Sequence, residues 1–228
     1  MAISVFMFSS CNKPKLITLA QTSKTMHYGE TYVIHAECEN PISYSSNDEY
    51  HAKVTSSGKI TAQYVGNTTI RLTSEDDTKT FSVVVEPEYN TYPEPRIKFG
   101  DTKSSVISKL GEPDYIDADG IGYTNYSSKA PILAILFDDN EKVESYGILV
   151  KTAFSSELAS FLGERYVYVG ETDDFLAFTN GLTAEKKTMF IGLELYNVNY
   201  WMVAYAPYNN KDIENIQSIE KRISIFVK

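Results

Sequence analysis

The sequence holds few of the side chains that carry chemistry. There are two cysteines, three histidines and one tryptophan in 228 residues. All three histidines, His27, His35 and His51, lie near the start, so a Ser-His-Asp arrangement built within the rest of the chain is excluded. No G-x-S-x-G, phosphate-binding loop, H-E-x-x-H or G-x-G-x-x-G occurs, which weighs against the common hydrolases and nucleotide enzymes. No His/Cys spacing fits a zinc pattern, so no metal or other cofactor is expected. Basic charge is scarce as well. The formal net charge is −9, and residues 88–207 carry eighteen Asp and Glu against ten Lys and Arg. A surface of that sign repels phosphate backbones, and nucleic acid is excluded as a partner. No stretch past the first residues approaches the ~18 consecutive apolar positions of a membrane-spanning helix.

What the chain does have is length for two cores and a surplus of strand formers. Seventeen tyrosines, with abundant Thr, Val and Ile, favour β-structure. At the start, an apolar run from Ala2 to Phe8 leads into Ser9, Ser10 and Cys11. Phe8-Ser9-Ser10-Cys11 resembles a bacterial lipobox, although no Lys or Arg precedes it. The resemblance implies that residues 1–11 are a signal remnant, that Cys11 carries a lipid, and that the chain reaches the membrane through that anchor. Cys38 would then lack a disulfide partner. Sharing a face with Ile34 and Ala36, it reads as a small buried hydrophobe.

Residues 15–86 alternate apolar and polar positions in short runs separated by turn residues, the pattern of a β-sandwich. Strands are expected over 16–19, 30–37, 42–45, 53–55, 60–62, 68–73 and 80–85, with Gly58 supplying positive φ in the Ser56-Ser57-Gly58 turn. Tyr44-Ser45-Ser46-Asn47-Asp48, Ala52-Lys53-Val54, Ser57-Gly58-Lys59-Ile60-Thr61-Ala62, Val65-Gly66-Asn67-Thr68-Thr69-Ile70 and Phe81-Ser82-Val83-Val84-Val85 together resemble group 2 bacterial immunoglobulin-like domains. That resemblance implies an all-β immunoglobulin-like sandwich of the kind found in bacterial surface and adhesion proteins, a display or binding module without chemistry of its own. The ligand is not implied.

Residues 87–95 contain Pro87, Pro93 and Pro95 and read as a stiff linker. Beyond it, residues 96–207 show one helix followed by four strands, twice. The helices are expected over 102–110, with Thr102 or Asp101 as N-cap and Gly111 as terminator, and over 155–163. At a shift of 52, Val106, Leu110, Gly111 and Glu112 fall on Leu158, Leu162, Gly163 and Glu164. This reads as an α+β domain of tandem helix-plus-four-strand antiparallel units. Gly100-Asp101-Thr102-Lys103-Ser104-Ser105-Val106, Leu110-Gly111-Glu112-Pro113-Asp114 and Leu136 to Val143 resemble the SmpA/OmlA outer-membrane lipoprotein family of the barrel assembly machinery and the β-lactamase-inhibitor-like domains. Those families imply binding of another protein.

Three further features bear on function. Asp138-Asp139-Asn140-Glu141 lacks the spacing of a calcium loop and reads as a charged turn. Glu171, Asp173 and Asp174 sit too close along one turn to oppose each other as glycosidase carboxylates. Tyr196, Tyr200, Trp201 and Tyr205 crowd one hairpin and form the candidate binding face. Finally, residues 208–228 carry Ile213, Ile216, Ile219 and Ile223 at helical spacing and are expected to form a C-terminal helix. Taken together, the expectation is a non-enzymatic exported lipoprotein of the cell envelope, outer-membrane-anchored and either surface-exposed or periplasmic, that adheres to a protein or glycan ligand outside the cytoplasm. The alternative is a periplasmic or outer-membrane assembly or inhibitor protein whose α+β domain binds another protein. An enzyme of unfamiliar type is the third reading.

Overall fold

The structure is a computed structural model that describes residues 15–171 and 175–208. Cys11, Asp173, Asp174 and the expected helix over 209–228 lie outside the described residues. The chain divides into two compact units, Met1–Pro87 and Glu88–Lys228, and both are built mostly from strands.

The first unit is a sandwich. Its strands are β1 (Thr18–Leu19), β2 (Ser23–Met26), β3 (Thr31–Val33), β4 (Ala36–Glu37), β5 (Ser43–Ser46), β6 (Ala52–Val54), β7 (Lys59–Ala62), β8 (Gly66–Thr73) and β9 (Thr78–Val85). One sheet has the order β2-β9-β8-β5, another β3-β7-β6, and β1 pairs with β4. Alternation turns Ile70 and Leu72 of β8, and Phe81, Val83 and Val85 of β9, toward Met26, Ile60 and Ala62, all buried. Cys38 is buried in the same core, as expected, with its thiol 3.3 Å from the Lys15 carbonyl. Gly58 takes φ +77° in the β6–β7 turn, and a Cβ there would lie 2.9 Å from the Tyr44 ring.

Two expectations for this unit need correction. The segment 30–37 is not one strand: Thr31–Val33 pairs with β7, and Ala36–Glu37 leaves that sheet to pair with β1. β2, which runs parallel to β9, was not expected because Ser23, Lys24 and Thr25 are exposed and only Met26 turns inward, so no alternation marks it.

The second unit contains α1 (Lys103–Leu110), β10 (Tyr115–Ile116), β11 (Gly120–Thr124), β12 (Ile132–Phe137), β13 (Val143–Lys151), α2 (Ser155–Gly163), β14 (Val167–Glu171), β15 (Leu176–Thr179), β16 (Met189–Asn197) and β17 (Tyr200–Pro207). The eight strands form one antiparallel sheet in the order β10-β11-β12-β13-β17-β16-β15-β14. Two four-strand meanders, each preceded by a helix, therefore meet along their last strands. Thr102 caps α1 by accepting from Ser105 N at 3.2 Å, and the Gly111 N–H closes it on Ile107 O. Val106 of α1 and Leu158, Phe161 and Leu162 of α2 bury against one face of the sheet, where Ile121, Ile135, Ile148 and Val203 meet them.

Residues 87–95 do not form a free linker. Thr91 and Tyr92 are only 1% and 4% exposed. Glu88 N and Tyr89 N donate to the two carboxylate oxygens of Glu164 at 3.0 and 3.1 Å, and Arg165 donates to the Tyr89 carbonyl. Tyr126 and Tyr166 hydroxyls hold the Pro93 carbonyl and the Glu94 carboxylate. The prolines bar ladder pairing, as expected, but the side chains of Glu164, Arg165 and Tyr126 satisfy the neighbouring backbone instead. The segment is a strap of the second unit.

Candidate binding surfaces

The predicted aromatic quartet is not one face. Because side chains alternate along a strand, Trp201 and Tyr205 point to the helix-covered side of the sheet, while Tyr196 and Tyr200 pack on the opposite side. Tyr205 is 1% exposed and shares a 2.6 Å hydrogen bond with the Tyr92 hydroxyl. The Trp201 indole N–H donates to Ser155 Oγ at 2.8 Å, at the start of α2. These two rings are core and docking elements, and the quartet cannot meet one ligand.

A second aromatic cluster, exposed at Tyr28, lies in the first unit. Tyr28, 49% exposed, lies in the turn after β2; Tyr50 and His51 lie in the turn before β6; and Tyr64 lies in the corner between β7 and β8. Backbone bonds draw these loops together: Gly29 N donates to Ala62 O, Gln63 N to His51 O at 2.8 Å, and Tyr64 N to Tyr50 O at 3.1 Å. Asp48 fixes the middle loop by accepting from Tyr50 N at 3.0 Å. The result is a ring stack. Tyr64 lies on Tyr50 with centroids 4.7 Å apart and planes 24° apart, and Tyr28 leans on Tyr64 at 6.0 Å. His51 supports the stack from behind, edge-on to Tyr50 and with Nδ1 against the Tyr64 carbonyl at 3.1 Å. Gly66, at φ +139°, lets the His51 ring pass where any Cβ would collide with it. Burial raises the Tyr64 hydroxyl pKa, and the neighbouring Tyr28 adds to the shift. Stacked rings with polar tips suit contact with a sugar face or an apolar side chain. Sequence patterns missed this cluster because its members are 22 and 14 residues apart; the available signal was that each tyrosine sits within two residues of a turn-forming Asp or Gly.

The second unit's polar groups serve its own packing. Glu164, at 4% exposure, and Arg165, at 8%, form a buried ion pair, and Arg165 also reaches Glu94. A cleft of about 610 Å³ lies beside the strap, lined by Glu88, Tyr89, Lys129 and Glu157, and Lys129 pairs with Glu157 at 2.6 Å. Burial pushes the hydroxyls of Tyr92, Tyr166 and Tyr205 well above the usual tyrosine range, and that of Tyr126 up to about 12. Asp138 behaves as the charged turn that was expected: it accepts from the backbone of Asn140 and Lys142, chiefly Lys142, which lowers its pKa. Among the described residues no group of three His, Cys, Asp or Glu side chains is placed to hold a metal ion.

No protein-family model matches the chain, and no curated protein matches it. Solved structures give loose similarities: domains 4–9 of the surface layer protein SbsC (12% identity, TM-score 0.29, 88% of this chain), an intimin mutant of EHEC O157:H7 (15%, 0.25, 84%) and the C-terminal domain of TagH (12%, 0.30, 75%). The matches span 28%, 87% and 99% of those chains respectively. At such TM-scores the similarity does not reach a shared ligand or a shared site.

Proposed function

We propose that this chain is a non-enzymatic, exported surface protein that binds a protein or glycan outside the cytoplasm through the tyrosine end of its first unit. The observation that carries this reading is the Tyr28–Tyr64–Tyr50 stack, held by three loops and open to solvent at Tyr28. The immunoglobulin-like pattern of residues 15–86 supports a display role, and the lipobox-like Cys11 supports membrane anchoring. The second unit fits a tandem α+β duplication, since its two meanders are arranged symmetrically about the β13–β17 pair. To test binding, the full chain is applied to a printed glycan array and a panel of purified matrix proteins. A specific signal that falls at least tenfold in the Tyr28→Ala/Tyr64→Ala variant supports the reading; a signal unchanged by that variant contradicts it. Fatty-acid labelling that disappears in Cys11→Ser tests the anchor.

A second reading, an assembly or inhibitor protein, is favoured by a different observation. The sheet's outer strands β10 and β14 expose Tyr115, Ile116, Tyr168 and Val169, an arrangement suited to strand addition by a protein partner.

A further inference from the structure

The hairpin that joins β16 to β17 ends in an apolar tip. Val198 is 84% exposed and Leu195 57%, and residues 195–200 carry no charged side chain. Among the described residues no large hydrophobic side chain is more exposed than Val198. The turn is nevertheless tied down from within. Asn197 Oδ1 accepts from Asn199 N at 2.8 Å and from Tyr200 N at 3.1 Å. Thr152 donates from its hydroxyl to the Val198 carbonyl at 3.1 Å and from its N–H to the Asn199 carbonyl at 2.9 Å. With these backbone groups satisfied inside the protein, the aliphatic tip can leave water without stranding them.

Aromatic rings stand behind the tip on both sides. Trp201, directly opposite Leu195, packs on the helix-covered side, and Tyr196 and Tyr200 pack on the other. A ligand lying on one face of the sheet cannot meet all three. A planar surface that meets the sheet end-on does. Aliphatic side chains in front and rings with a polar edge behind follow the order of environments at a bilayer surface, acyl chains first and headgroups next. Lys151, exposed and directly opposite Tyr200, supplies a cation at the level of the rings, and Glu171, exposed at the end of β14, is two strands away from β16. A protein partner fits the tip less well, because two aliphatic side chains fall far short of the roughly 800 Å² per partner that a stable interface buries.

We propose that this hairpin tip is a membrane-contact site of the second unit, with Val198 and Leu195 seated among the acyl chains of a bilayer surface and Trp201, Tyr196 and Tyr200 at headgroup level. The proposal rests on the exported reading above for its setting and is separate from the ligand site of the first unit. The acidic excess of residues 88–207 opposes attraction to anionic headgroups, so insertion of the tip, and not charge, carries the contact. Such a contact is shallow and reversible. Added to a lipid anchor, it fixes how the second unit meets the membrane.

Quenching by brominated lipid tests this in the full chain carrying Cys11→Ser, which removes any lipid anchor. Trp201 is the single tryptophan, so its emission reports this hairpin and no other part of the chain. Millimolar phosphatidylcholine vesicles, brominated high on the acyl chain, should lower Trp201 emission by about a third relative to unbrominated vesicles. The quenching should be the same in low and high salt. Val198→Asp/Leu195→Asp should weaken it at least fivefold while far-ultraviolet circular dichroism stays unchanged, and Tyr28→Ala/Tyr64→Ala should leave it intact, which separates this contact from binding by the first unit. Absence of quenching, quenching that survives the double aspartate variant, or quenching lost in high salt or in the tyrosine variant would overturn the proposal. So would a dimer in sedimentation that the double aspartate variant converts to monomer, since the tip would then belong to a second copy.

Discussion

Tyr28 and Tyr64 in the first unit, and Tyr92 and Tyr205 in the second, are the same side chain in opposite surroundings. The first pair sits on loops, with Tyr28 half in water and tilted against Tyr64. The second pair is buried between sheet and strap and joined hydroxyl to hydroxyl. The difference shows that tyrosine content alone says little about binding. The second unit holds eleven of the seventeen tyrosines between positions 89 and 205, yet its most deeply placed rings close a core. In the first unit the ring that reaches water, Tyr28, is carried on a turn.

Substitution should make the contrast measurable. Tyr205→Ala removes a buried ring and its hydrogen bond and should destabilise the second unit by about 3–5 kcal/mol. Tyr28→Ala should move the first unit by less than about 0.5 kcal/mol. Guanidinium unfolding followed by the fluorescence of Trp201, which reports the second unit, checks the larger effect, and two-dimensional NMR checks the smaller. Equal effects would break the comparison.

Next in size is Glu164→Ala, which strips the acceptors from Glu88 N and Tyr89 N and leaves Arg165 without its nearest anion. The expected loss is about 3 kcal/mol, with faster hydrogen exchange at those two amides if the strap is held as described.

Alkali should separate the units as well. The buried hydroxyls of Tyr92, Tyr166 and Tyr205 keep their protons above the pH at which unfolded tyrosine ionises. Their stabilising contribution is present below about pH 10 and is lost as pH rises from there toward their folded values, at roughly 1.4 kcal/mol per tyrosine per pH unit. Unfolding curves at pH 9 and 11 should show a larger loss for the Trp201 transition than for the first unit. A modest effect is expected of Gly58→Ala, which forces a side chain into the left-handed region against the Tyr44 ring. It should cost the first unit about 1 kcal/mol and leave the Trp201 transition unmoved.

What the sequence disclosed followed from local pattern. α2 carries Leu158, Phe161 and Leu162 on one stripe, and the bounds expected for it, 155–163, are the observed ones. Gly58 was legible because a tight turn leaves few residues the choice of positive φ. What it concealed depends on partners far along the chain. The strap looked like a spacer because Glu164, which binds its backbone, is 76 residues from Glu88. β2 lacks alternation and exists through its parallel pairing with β9. Tyr200, Trp201 and Tyr205 are neighbours in sequence, but odd and even positions face opposite sides, and proximity was mistaken for a common surface. The Tyr28, Tyr50 and Tyr64 stack needs three loops to meet, which no single window displays.

The central claim is that ligand contact resides in the loops of the first unit and not in the second unit's aromatic rings. Its most direct test is array binding by three forms of the full chain: the unaltered protein, Tyr28→Ala/Tyr64→Ala, and Tyr168→Lys on the exposed edge strand β14. The account predicts at least a tenfold loss in the double variant and an unchanged signal in Tyr168→Lys. Retention by the double variant together with loss in Tyr168→Lys would contradict it and place binding at the sheet edge.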